Sequence, residues 1–217
     1  MTIEENVALI RARLDEINKN CQIVAATKTR DRDTITRCME THMVLAAGEN
    51  RVQELVEKYT DAYRWDFIGR IQTNKVKYII DKVELIHSLD RPELCAAIQK
   101  ECVKKGKEKQ KTLIEINAGK EENKGGICIE DLDAFLDEVS KYDRIEVDGL
   151  MAVVPLWYDE TALRKTFERV YEEFFKRKTE TLKELSMGMS GDYLIAAESG
   201  ATIVRPGRAI FGERSYV

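Results

Sequence analysis

Long apolar runs are missing from this chain of 217 residues; none approaches the roughly 20 residues that a helix needs to cross a bilayer. Proline is scarce, at Pro92, Pro155 and Pro206 only, and there is no low-complexity stretch, so no linker divides the chain and one domain is expected. The five cysteines (Cys21, Cys38, Cys95, Cys102, Cys128) are odd in number, scattered and without a CxxC pair. Neither a disulfide framework nor a zinc site fits that pattern, and a reducing cytoplasm does. No charge sign dominates: Lys+Arg 35 against Asp+Glu 39 leaves −4, with the signs interspersed and no basic stripe of the kind that binds nucleic acid. The opening MTIEENVALI is acidic and amphipathic, unlike a secretory signal. The expectation is a cytoplasmic globular protein with no membrane, nucleic-acid or metal partner.

What is present is material for a core under a charged surface, with 43% hydrophobic and 34% charged residues, which excludes a disordered chain. Ile3, Val7, Ile10, Leu14 and Ile17 form one apolar stripe on a helix that ends near Asn18 to Asn20. A β-rich run, Ile23 to Thr27, then closes on Lys28, and a helical stretch spans Asp31 to Glu40. Val44 to Ala47 is the next strand candidate, closing on Gly48-Glu49-Asn50. Others are Trp65 to Ile68, Leu85 to Ser88, Leu113 to Asn117, Val147 to Val153, Leu185 to Met189 and Thr202 to Val204. Helical patterns lie between them, clearest at Glu93 to Lys105, Ile129 to Lys141 and Thr161 to Glu184. About eight strands, most followed by a helix, is the count and order of a β/α barrel. A doubly wound open sheet alternates in the same way but usually with fewer strands.

In a barrel of this kind the chemistry gathers where strands end. A lysine there, Lys28, would have its amine partly desolvated in the barrel mouth and made nucleophilic; the alternative is a lysine that snorkels into solvent beside Arg30 and Asp31. Ser190-Gly191 lies between a strand and a helix that Ser190 can cap, with its hydroxyl also free to reach a phosphate. Gly200, Arg205, Gly207 and Gly212 follow in ESGATIVRPGRAIFG, where the loops after the last two strands of such barrels bind phosphate. His87 is expected to be a packed, hydrogen-bonded histidine rather than a proton shuttle. Met151, Met187 and Met189 are expected to fill core, though methionine also packs on flat rings. Glu49, Glu121 and Glu122 have no spacing that demands a metal, and Lys104 to Lys111 reads as a solvated helix end.

VAATKT, GENRVQE, WDFIGRIQTNKVK, IHSLDR, GLMAVVP, LSMGMSGDY and ATIVRPGRAIFG occur in that order between about Val24 and Gly212. Together they resemble the YggS/PROSC family of pyridoxal phosphate-binding proteins. The resemblance implies a single (β/α)8 TIM-type barrel over residues 1–217, with an extra N-terminal helix, related to the N-terminal domain of alanine racemase. It implies pyridoxal 5′-phosphate as cofactor, held as an internal aldimine (a Schiff base) on Lys28. Asn50 would lie near the ring, Ser190 and the backbone N–H groups of Gly207 and Arg208 would take the phosphate, and Arg205 would face the pyridine nitrogen. Met151 and Met189 would flank the site. Pyridoxal phosphate-dependent apoenzymes would be recipients of the cofactor, and a monomer is expected. The chain departs from the family pattern at Thr27-Lys28-Thr29-Arg30-Asp31, where many relatives have SKT and an early proline, and in the stretch 118–124, which keeps only part of the usual loop.

Strong carbanion stabilisation needs a protonated pyridine nitrogen, and a guanidinium beside it disfavours that proton. The chain stops at Val217, just past its last barrel motif, where racemases carry a second domain. Both features point to buffering or delivery of the cofactor in its intracellular homeostasis, without strong catalysis. A weak amino-acid racemase or other pyridoxal phosphate enzyme using Lys28 as base is the alternative. A cofactor-free Schiff-base aldolase is a third, and it leaves Arg205 without a role.

Overall fold

The structure, a computed structural model, describes residues 1–119, 121, 125–155 and 159–213. Its first element is α1 (Ile3–Asn18), started by a capping box in which the Thr2 hydroxyl accepts from the Glu5 N–H and the Glu5 carboxylate accepts from the Thr2 N–H. Then come β1 (Gln22–Ala26), α2 (Arg32–Met39), β2 (Ala46–Glu49), α3 (Val52–Lys58), β3 (Trp65–Phe67) and a 3-10 turn at Thr73–Tyr78. β4 (Leu85–Leu89), α4 (Pro92–Lys105), β5 (Gln110–Asn117), a second 3-10 turn (Ile129–Asp131), α5 (Leu132–Val139) and β6 (Ile145–Val153) follow. The last elements are α6 (Glu160–Arg177), β7 (Glu184–Ser186), α7 (Tyr193–Glu198), β8 (Ile203–Val204) and α8 (Arg208–Phe211). Each strand pairs in parallel with the next, and β8 pairs with β1 through Gln22↔Ile203 and Ile23↔Val204. The sheet is therefore a closed eight-stranded barrel of the TIM type, preceded by a helix, as the strand count predicts.

The pleat divides the strand residues between two layers. Val24, Ala46, Leu85, Leu113, Met151 and Ile203 point inward and form a small apolar plug. Ile23, Ala25, Phe67, Ile86, Ile114, Leu150 and Leu185 point outward into the larger core beneath the helices. α1 contributes Val7, Ile10 and Leu14 to that outer core and packs against α7 and α8, while Ile17 stays 38% exposed.

Several boundaries differ from the sequence expectation. β5 begins at Gln110 rather than Leu113, because the buried Gln110 amide donates to the Glu84 C=O and the strand pairs with β6 from Ile145 onward. β2 runs on through Gly48 and Glu49, which pair with β3. β7 stops at Ser186, since Gly188 takes φ +89°, a left-handed conformation that ends the strand. α6 ends at Arg177 rather than reaching Glu184: the Thr179 hydroxyl accepts from the Leu182 N–H and folds a turn there. Lys107 corrects the reading of a solvated helix end, because its ammonium donates to the C=O groups of Ile80 and Val83 and to Gln110 Oε1.

Candidate functional site

The β1 strand ends at Ala26, and Lys28 sits half-buried in the turn that follows. That turn is closed by the Arg30 N–H donating to the Thr27 C=O at 3.0 Å, with Thr29 at φ +66°. A β-branched residue rarely adopts such an angle, so something must hold it there. The holding group is a buried ionic cluster. The Thr27 hydroxyl donates to the Gly48 C=O (3.1 Å) and to Glu49 Oε1 (3.0 Å), and the Thr29 N–H donates to Glu54 Oε2 (2.7 Å). Lys58 Nζ ties these together, donating to Glu49 (2.8 Å), Glu54 (2.7 Å) and the Thr27 C=O (3.3 Å). Burial works against the charge on Glu54, yet Lys58 and the Thr29 N–H hold its carboxyl below the ordinary range.

On the next side of the mouth, the Ala26 N–H donates to the Pro206 C=O, which sets the loop after β8 against the end of β1. Gly207 lies over Ala26, where a Cβ would come within 3.1 Å of the Ala26 carbonyl oxygen. The N–H groups of Gly207 and Ala209 both donate to Ser190 Oγ, at 3.0 and 3.1 Å. Two backbone donors converging on one oxygen at the start of α8 form an anion cradle, with the hydroxyl standing where an anionic oxygen can bind. Ser190 thus serves α8 and not α7, which corrects the expected cap. α7 begins instead at Asp192, whose carboxylate accepts from the Met189 N–H. Gly200 is not part of the cradle: its φ of +96° turns the α7–β8 connection against the Tyr171 ring, away from the strand ends.

Arg205 follows β8 and is 4% exposed. Its guanidinium donates to Ser186 Oγ (2.6 Å) and to the Ala152 C=O (3.0 Å). Ser186 Oγ lies 3.0 Å from His87 Nδ1, and His87 Nε2 lies 3.3 Å from Asp66 Oδ2, which Arg64 also holds. Only one direction satisfies every donor. Arg205 donates to Ser186, the Ser186 hydroxyl donates to Nδ1, and Nε2–H donates to Asp66, so the imidazole is neutral. Burial lowers the His87 pKa, in keeping with this assignment. His87 is therefore the packed, hydrogen-bonded histidine the sequence favours. Burial also pulls Arg205 down to about 10, while Asp192 and Glu115 support its charge, so it remains a cation at neutral pH.

The remaining candidate residues divide. Asn50, just past the end of β2, has its Oδ1 buried with no hydrogen-bond partner among the described residues. Met151 belongs to the inner plug and Met187 to the outer core, whereas Met189 is half-buried in the loop before α7. The Arg208 side chain is exposed and lies 3.6 Å from Glu213, and the N–H groups that reach Ser190 Oγ are those of Gly207 and Ala209 on either side of it. In the loop after β5, Asn117 exchanges hydrogen bonds with the backbone of Glu121; Lys120, Glu122, Asn123 and Lys124 lie outside the described residues. The sequence reading missed the Lys58 cluster, the string from Arg64 to Arg205, and Glu115. Glu115 alone had a local signal, as a charge at an inward position of an apolar strand.

A profile of the family described as "Alanine racemase, N-terminal domain" matches residues 1–215. The chain is 41% identical over 206 residues to the pyridoxal phosphate homeostasis protein of Aquifex aeolicus, covering 91% of this chain and 90% of that one. With the pyridoxal phosphate homeostasis protein of Vibrio cholerae it shares 30% identity over 232 residues, or 99% and 98% of the two chains. Among solved structures, PipY of Synechococcus elongatus with pyridoxal phosphate bound matches with a TM-score of 0.85 at 26% identity, covering 97% of this chain and all of that one.

Proposed function

Because the chain belongs to the alanine racemase N-terminal domain family, and within it to the YggS/PROSC group of pyridoxal phosphate homeostasis proteins, we propose that it binds pyridoxal phosphate through Lys28 and serves to buffer or deliver it. The observation that carries this reading is the meeting of three groups at one end of the barrel. The Lys28 turn, the Ser190–Gly207–Ala209 cradle and the buried Arg205 come from β1, β7 and β8, which are neighbours in the closed sheet. A phosphate fits the cradle, where Ser190, Gly207 and the adjoining backbone of Arg208 would hold it. A ring nitrogen fits the donors of Arg205. The unpartnered Asn50 Oδ1 fits a ligand that brings a donor, since a buried acceptor with nothing to accept from is costly.

Bound there, the cofactor supplies an aldehyde to which a primary amine can add. Lys28 is the amine offered by the strand end: its nitrogen would form the C–N bond and water would leave. Arg205 keeps its position because Ser186 and Ala152 fix it, and its charge opposes a proton on the ring nitrogen. That favours reversible holding of the cofactor over carbanion chemistry. Pyridoxal phosphate-dependent apoenzymes are the proposed recipients.

The test is an absorption titration with pyridoxal phosphate. Wild-type protein is expected to develop a visible band that saturates, and Lys28→Ala to develop none while keeping its thermal unfolding midpoint. An equal band in both proteins would overturn the role of Lys28, and no band in either would overturn cofactor binding.

A further inference from the structure

The backbone of Lys28 is held from both sides. On its amino side lies the peptide plane it shares with Thr27, whose C=O accepts from the Arg30 N–H at 3.0 Å and from Lys58 Nζ at 3.3 Å. On its carboxyl side lies the plane it shares with Thr29, whose N–H donates to Glu54 Oε2 at 2.7 Å. A residue has only two soft backbone dihedrals, so fixing both flanking planes fixes φ and ψ of Lys28 and the direction of its Cα–Cβ bond. The hold from Glu54 works against local preference. Thr29 stands third in the turn that Arg30 closes, with φ +66°, at a position where glycine is usual. Thr29 is exposed, so core packing does not impose that angle.

An exposed N–H at such a turn can be satisfied by water. Here its acceptor is a carboxylate of another element, α3, and that carboxylate is itself fixed. Lys58, four positions further along α3, bridges Glu54 at 2.7 Å to the fully buried Glu49 at 2.8 Å. Arg51 lies 3.6 Å from the other Glu54 oxygen. Such a cluster is weak evidence for stability, because desolvation offsets much of its attraction. A strained angle that the surroundings over-determine points instead to function, and the residue between the two anchors here is Lys28. We propose that Glu54, locked by Lys58, is a positioning residue for Lys28: by holding the Thr29 N–H it sets the direction in which the Lys28 side chain leaves the strand end. The consequence, faster addition of that amine to the cofactor aldehyde, rests on the proposed function, whereas the geometric claim does not.

Two measurements keep the claims apart. In the protein without cofactor, the 13Cα and 13Cβ shifts of Lys28 report its φ and ψ. Glu54→Ala is expected to move them, but to leave them in place when made on top of Thr29→Gly, since glycine takes a positive φ at no steric cost. Shifts that stay put in the first case, or move equally in both, would overturn the positioning role. On mixing with saturating pyridoxal phosphate, the visible band is expected to form about tenfold more slowly in Glu54→Ala than in wild type. The half-saturating concentration should barely change, because the cradle is intact. On top of Thr29→Gly, Glu54→Ala should not slow the band at all. Equal rates in wild type and Glu54→Ala, or a slowing that persists beside Thr29→Gly, would overturn the effect on Lys28. A wild type that forms no band would contradict the cofactor reading, and the shifts would still decide the positioning of Lys28.

Discussion

On β4, Ile86 packs outward among the helix-covered core, and the next residue, His87, turns inward to join Asp66 and Ser186. The same division recurs on β5, where Ile114 and Ile116 face the outer core while Glu115 between them faces the mouth. The outer face is apolar almost without interruption, so its residues act additively by area and volume. The inner face has a short apolar plug, and beyond it His87, Ser186 and Arg205 depend on specific partners from other strands. Apolar packing is thus concentrated on one side of the sheet and polar partnership on the other, in consecutive residues along a strand.

Substitutions should separate the two faces. The largest expected effect is on the outer one: Phe67→Ala removes a fully buried ring and should cost about 3–5 kcal/mol in denaturant unfolding. The fraction that stays folded should still give the cofactor band. A lost band with little loss of stability would break the division. Next comes Glu115, whose carboxyl is raised from 4.5 to about 7 in the folded state. A raised acid binds its proton more tightly when folded, so the contribution is full below about pH 4.5 and is lost as pH rises through about 7. The wild type should therefore lose on the order of 3 kcal/mol relative to Glu115→Gln across that window. Parallel stability curves for the two proteins would contradict this. Smallest is Ser190→Ala, which removes one oxygen from the cradle; cofactor affinity should fall about tenfold, with the unfolding midpoint nearly unchanged.

The barrel was legible because its signal is periodic. Eight apolar runs alternating with amphipathic helices leave few other ways to bury their outward faces. Boundaries went wrong where a polar side chain serves the fold, as with Gln110 at the start of β5 and Thr179 after α6. Lys28, Ser190 and Arg205 could be picked out because polar residues closing apolar strands stand out locally, and the family resemblance supplied their roles. The string Asp66–His87–Ser186–Arg205 draws on three strands and the loop after a fourth, and nothing in the spacing of these residues along the chain brings them together. The partners of Ser190 were hidden for the same reason: its hydroxyl caps a helix that starts 18 positions later, across the β7–β8 pair, rather than the one that follows it. Lys58 carries no signal of its own in the sequence, because its three acceptors come from the turn after β1, the end of β2 and its own helix.

Lys58 also makes the decisive measurement discriminating, since it is a second lysine beside the Lys28 turn. Protein mixed with pyridoxal phosphate would be reduced with borohydride, digested and mapped by mass spectrometry for pyridoxyl-lysine. One dominant modified residue is expected, Lys28, with Lys58 unmodified in its cluster of acceptors. Modification of Lys58 or scattered surface lysines to the same extent, or no modification at all, would contradict it.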